Sequence, residues 1–185
     1  GGLGLGVNTD NNIRLIKGVL GLPIQLVSGY KGSADIRMAM EQGEIAGSSP
    51  TWISFRTSEG KSLAAGDFVV VLQSVPKPFP DLPKVPLVIN YAKTDEARQL
   101  IETGIHDASI FSRAFVLPPG TPKDTVQILT KAFTDTLKDK EFLADTSKAK
   151  LDIEPVTSAE LEKSVASIFK LDKSLVAKLR DILFK

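Results

Sequence analysis

Apolar residues along this chain recur at two alternating periods. Ile13, Ile16 and Leu20, with Leu15 and Val19 beside them, share one face of a helix that Gly21 ends and Pro23 follows. Asn8 or Thr9 is the expected N-cap, with Asp10 in the first turn. A second helix starts at Ser33, carries Ile36, Met38, Ala39 and Met40, and closes at Gly43. Pro50 opens a helical stretch through Trp52, Ile53 and Phe55. Further helices are expected over about 94–103, from Thr121 through Val126, Leu129, Phe133 and Leu137, near 141–146, from a Thr157–Glu160 capping box, and over about 173–183. Between them lie short apolar runs at 24–28, 45–48, 68–72, 114–117 and 151–154 that read as strands. The run Phe-Val-Val-Val-Leu at 68–72 is apolar at every position, as a central strand covered on both faces would be. The Pro-rich stretch 75–86 reads as a loop.

Strand and helix alternate, so the expected class is α/β with a mostly parallel sheet flanked by helices. In such a fold each strand-to-helix junction turns a helix N-terminus toward the same sheet edge. Free backbone N–H groups and the helix dipole make that edge a place for anions.

Composition narrows the functional classes. The 185 residues are 42% hydrophobic and 24% charged, the balance of an ordinary globular protein. Formal net charge is +1, and no basic run is interleaved with aromatics, so nucleic acid is not an expected partner. The absence of cysteine excludes disulfides, thiolate metal sites and cysteine nucleophiles. No apolar run approaches the length of a membrane span.

Catalytic and cofactor motifs fail one by one. The glycines at 2, 4 and 6 break the dinucleotide register, because Thr9 stands where a third glycine belongs. No nucleophile elbow accompanies His106, the single histidine, which reads as a surface or helix-end residue. No clustered metal ligands occur. The expectation is a non-catalytic protein without a cofactor.

Three loop-to-helix junctions remain as binding candidates. The first holds Gly4, Gly6, Val7, Asn8 and Thr9, where glycines allow close backbone approach. The second is Gly29-Tyr30-Lys31-Gly32-Ser33, with Tyr30 the candidate. The third runs from Gly47 and offers Ser48, Ser49, Thr51 and Trp52. Singly, each is also an ordinary turn or cap, and Trp52 is also plain core. Three on one edge point to a binding cleft.

Four ordered motifs carry a resemblance. Gly29-Tyr30-Lys31-Gly32-Ser33 with Gly43-Glu44-Ile45-Ala46-Gly47 comes first, then Asp81-Leu82-Pro83-Lys84-Val85-Pro86. Pro118-Pro119-Gly120-Thr121-Pro122 and Asp139-Lys140-Glu141-Phe142 follow. Together they resemble the tripartite tricarboxylate transporter receptor family, also called Bug-type solute-binding proteins. The resemblance implies a periplasmic-binding-protein-like, Venus-flytrap lobe of type II over 1–113. It implies that 114–185 returns to the other lobe as helices, with that lobe's sheet absent from this chain. It also implies capture of a di- or tricarboxylate or similar organic acid in the periplasm, for delivery to membrane permease subunits. Ala46 departs from the family, where many members carry aspartate, and the first-lobe ligand loop has no counterpart here. Uncovered apolar helix faces lead to an expectation of self-association. The alternative is an effector-sensing domain of a transcriptional regulator with a related fold.

Overall fold

The computed structural model describes residues 1–185 except Ser112, Lys150 and Asp152. Its regular elements are helices: α1 (Asn8–Leu20), α2 (Ser33–Glu41), α3 (Trp52–Ser58), α4 (Gly60–Ala65), α5 (Asp95–Ile101), α6 (Ala108–Ile110), α7 (Lys123–Thr136), α8 (Lys140–Lys148), α9 (Ser158–Ile168) and α10 (Lys173–Phe184). A 3₁₀ turn occupies Val88–Tyr91, and a π-helical turn, Glu102–Asp107, joins α5 to α6.

Helix periodicity reads through to these elements. α1 buries Ile13, Leu15 and Ile16 and ends on Gly21 at φ 65, the left-handed cap that glycine accepts without strain. α9 begins with the expected capping box. The Thr157 hydroxyl accepts from Glu160 N, and the Glu160 carboxylate accepts from Thr157 N at 2.9 Å. Thr94 caps α5 by accepting from Ala97 N at 3.1 Å. At α1 the N-cap is Val7 rather than Asn8 or Thr9.

The expected α/β architecture, a periplasmic-binding-protein-like type II lobe with a mostly parallel sheet, is overturned. The chain is 55% helix and 2% strand, with no sheet among the described residues. Two isolated parallel bridges, Gly2 with Ser28 and Gln73 with Leu87, are the only ladder-like pairing described. Residues 24–28, 45–48, 68–72 and 114–117 are not strands. Asp152, in the fifth expected strand, lies outside the described residues, and its neighbours 151, 153 and 154 are not strand either. The physical reason is pairing. An apolar, β-branched run favours an extended backbone, but a strand exists only where a second strand takes up its N–H and C=O groups. Within 68–72 exposure alternates, and Val69 and Val71 stand 76% and 75% exposed, so the two-sided burial expected for this run is absent.

The core is small and helical. Leu15, Ile16, Val88, Ile101 and Ile105 are buried together, with Val19, Leu72, Leu179 and Ile182 packed against them. α1, α5 with its π-helical turn, and α10 therefore close around one another, although α10 lies at the far end of the sequence. Gly104 makes this possible. A Cβ there would sit 2.7 Å from Leu15 Cδ1 and 3.0 Å from Leu179 Cδ2. α2 and the α3–α4 pair join through an ion pair from Arg37 to the largely buried Glu59, at 2.6 Å. By contrast, the only buried residue described within α7, α8 and α9 is Thr146.

Candidate functional site

The three loop junctions, far apart in sequence, meet at the Gly1–Gly2 backbone. Gly2 N donates to Val27 O at 2.9 Å, and Gly2 O accepts from Gly29 N at 3.2 Å and Tyr30 N at 3.3 Å. Gly1 N donates to Gly47 O at 2.6 Å. A Cβ on Gly1 would lie 3.3 Å from both the Tyr30 ring and Ile36, so the second junction presses directly on the first. Asn12, in the second turn of α1, donates to Ser49 Oγ at 3.5 Å and ties in the third.

Asp10 organises the first junction from below. It is fully buried, and its carboxylate accepts from Gly4 N at 3.0 Å, from Thr9 Oγ1 at 3.2 Å, and from the Ser28 hydroxyl through a very short contact. Burial by itself pushes this carboxyl up. The hydrogen bonds from Ser28, Gly4, Thr9 and Leu3 outweigh it and hold the group below the ordinary aspartate value of 3.8. The loop is therefore wrapped around an ionised carboxylate of its own.

Outward-facing donors remain. Leu5, Gly6, Val7 and Asn8 are exposed, and no described hydrogen bond uses the backbone N–H of Leu5, Gly6, Asn8 or Thr9. Val7 caps α1 with no side-chain bond, so the Asn8 and Thr9 N–H groups keep no described partner. Gly6 holds φ 83, a conformation that any side chain would strain. This is a rim of backbone donors at the positive end of a helix dipole, which suits an anion.

The remaining expected residues divide. Tyr30 and Ser49 join the rim, and Ser48 is half-buried beside Ser49. Thr51 is the N-cap of α3 and makes no side-chain cap bond, so its hydroxyl is free for a ligand. Trp52 is tied elsewhere. Its indole N–H donates to both carboxylate oxygens of Asp81 at 3.1 Å, its ring lies 6.4 Å from Phe79, and Arg56 donates to Asp81 at 2.7 Å. The Asp81 carboxyl is affected in opposite senses. Burial raises it, and the bonds from Arg56 and Trp52 bring it below its usual range.

Sequence reasoning passed over two organising residues. Buried Gln73 holds the Pro-rich loop closed. Its amide donates to Leu82 O at 3.0 Å and Val85 O at 2.7 Å and accepts from Phe79 N at 2.9 Å. Only its position at the end of an apolar run signals burial. His106, read as a surface or helix-end residue, is buried in the π-helical turn, and its Nε2 has no described partner. Burial lowers its pKa against the opposing pull of Glu102 and Asp107. Burial likewise raises Asp107.

His106 lines a cavity of about 620 Å³ with Glu102, Asp107, Lys170, Asp172 and Leu175. That cavity lies away from the glycine loop. Three carboxyl groups against one lysine repel an anion, whereas the loop rim holds one carboxylate, Asp10, already met by donors from Gly4, Thr9 and Ser28, and presents backbone N–H groups without a described partner. The rim is thus the better place for a carboxylate. Among the described residues no cluster of histidine, aspartate and glutamate could hold a metal ion. Among the described residues no helix is long and apolar enough to cross a membrane.

Compared with known proteins, the chain matches no family model, no curated protein and no solved structure.

Proposed function

We propose that this chain binds a small organic acid at the glycine-loop rim, as the solute receptor of a tripartite tricarboxylate-type uptake system does. The observation that carries the reading is the meeting of three loop junctions, drawn from the first 51 residues, around a helix start with unused backbone donors. A di- or tricarboxylate would accept from the Gly6, Asn8 and Thr9 N–H groups, with Tyr30, Ser48, Ser49 and Thr51 around it. In this reading the chain is a periplasmic, non-catalytic binding protein that hands its ligand to membrane permease subunits. The ordered sequence motifs support the family side of the proposal. The loop geometry supports the anion side.

The test is a thermal-shift screen of succinate, malate, citrate and glutamate on the whole chain. A ligand at about one hundred times its dissociation constant stabilises the fold by about 2.7 kcal/mol. Gly6→Ala, which strains the loop at an exposed position, should weaken binding by roughly tenfold or more, with the unliganded melting temperature lowered by only a few degrees, so that the chain stays folded for the affinity measurement. If no carboxylate raises the melting temperature, or if Gly6→Ala leaves affinity unchanged, the rim is not the site.

A further inference from the structure

Residues 68–72 form an apolar segment outside any helix, and no described hydrogen bond uses its backbone. Just beyond it, Gln73 N donates to Pro86 O at 2.9 Å and Val88 N donates to Gln73 O at 2.8 Å. Its side chains alternate. Phe68 turns inward to meet Phe55 edge-on at 5.3 Å, and Leu72 packs on the core. Val69 and Val71 face solvent. The segment therefore alternates as a strand does without a partner strand, and no lysine, proline or charge interrupts it.

The whole surface is also too large. The chain exposes 12863 Å². A compact monomer of 19.9 kDa exposes roughly 8,700 Å². The excess, on the order of 4,000 Å² by that scaling, is several times the ~800 Å² per partner of a standard interface. With a net charge of +1, two copies meet almost no mutual repulsion.

We infer that this segment is a docking edge for a second copy of the same chain, joined as an antiparallel pair about a two-fold axis at Val70. The run is self-complementary in that register. Val69 of one copy falls opposite Val71 of the other, Phe68 opposite Leu72, and Asp67 opposite the uncharged Gln73. Pairing satisfies backbone groups that are otherwise left to water beside apolar side chains, and it sets β-branched pairs side by side. A two-fold contact uses the same patch on both copies and closes without propagating.

The test is sedimentation velocity on the full chain across the micromolar range, with amide hydrogen exchange at the same concentrations. The expected result is a dimer whose 68–72 amides gain protection as concentration rises. The Val69→Lys/Val71→Lys chain, altered only at exposed positions, sets like charges across the axis and should associate at least roughly tenfold more weakly. The Val69→Glu/Val71→Glu chain should behave likewise, and an equimolar mixture of the two should associate again. Recovery on mixing separates a lost contact from a damaged fold. A chain that stays monomeric overturns the inference. So does a dimer whose 68–72 amides exchange freely, protection of 68–72 that is independent of concentration and so comes from the same chain, or two charged variants that fail to pair on mixing.

Discussion

Asp10 is a buried carboxylate under the glycine loop, and its value depends on its charge. Its folded pKa is depressed, so it stabilises the fold above the ordinary value of 3.8, and that contribution is lost as pH falls through the depressed value. Asp10→Asn keeps the shape but turns one acceptor oxygen into a donor facing Gly4 N or the Ser28 hydroxyl. We expect a loss of about 1–3 kcal/mol at neutral pH, from groups left without an acceptor. The variant should also show a flatter decline on acidification. Urea midpoints at neutral pH and near about pH 3 check both points, because the two chains should converge once the native carboxylate is protonated. Equal midpoints at neutral pH would mean that the loop does not depend on the Asp10 charge. The sequence placed Asp10 in a helix first turn and no more. Its burial comes from Ser28 and Gly4 arriving from segments on either side, which no local pattern encodes.

At the scale of elements, most helix positions were legible, α4 and α6 being the exceptions, and helix partners were not. The capping box at Thr157, the cap at Thr94 and the glycine stop at Gly21 are local chemistry, satisfied by residues within one turn. The π-helical turn Glu102–Asp107 was invisible, because Gly104 within it reads as a helix stop. It continues α5 past the expected end at Thr103 and carries Ile105 and His106 inward. Gly104 marks where that turn touches both α1 and α10. Gly104→Ala puts a methyl group against Leu15 and Leu179, and overpacking of this kind costs roughly 1–3 kcal/mol. A thermal melt reads it as a drop of several degrees. An unchanged melt would show that the α1 and α10 side chains have room to move aside. The five runs read as strands failed at this same scale. Local composition determines an extended shape, and only a neighbouring backbone makes it a strand.

Across the whole molecule, stability is unevenly distributed. α1, α5 and α10 share one core, while α7 and α9 bury nothing and α8 buries only Thr146. Native-state amide exchange should therefore show the slowest protection in α1, α5 and α10. α7–α9 should exchange by local opening, well below the global unfolding free energy. Uniform protection across all ten helices would contradict this division. The exposed apolar positions Ile128, Leu129, Val165 and Phe169 give those helices amphipathic faces without matching burial. That excess of surface belongs with the open edge at 68–72.

Short of α4, the Val7 cap of α1 and the π-helical end of α5, the sequence by itself determined most of the helices, the caps at Thr94 and Thr157, the stop at Gly21, the Pro-rich loop, and the backbone-rich character of the glycine junction. Each depends on contacts within a few residues, and residue type is enough to specify those. Tertiary structure alone decided that 24–28, 45–48, 68–72 and 114–117 form no strand, with Ser28 in only an isolated bridge to Gly2, that α10 closes on α1, and that three loop junctions meet at Gly1–Gly2. It also decided that Trp52 turns to Asp81 instead of the rim. These outcomes turn on which distant groups compete for the same hydrogen bonds and the same buried volume, and a linear pattern records neither.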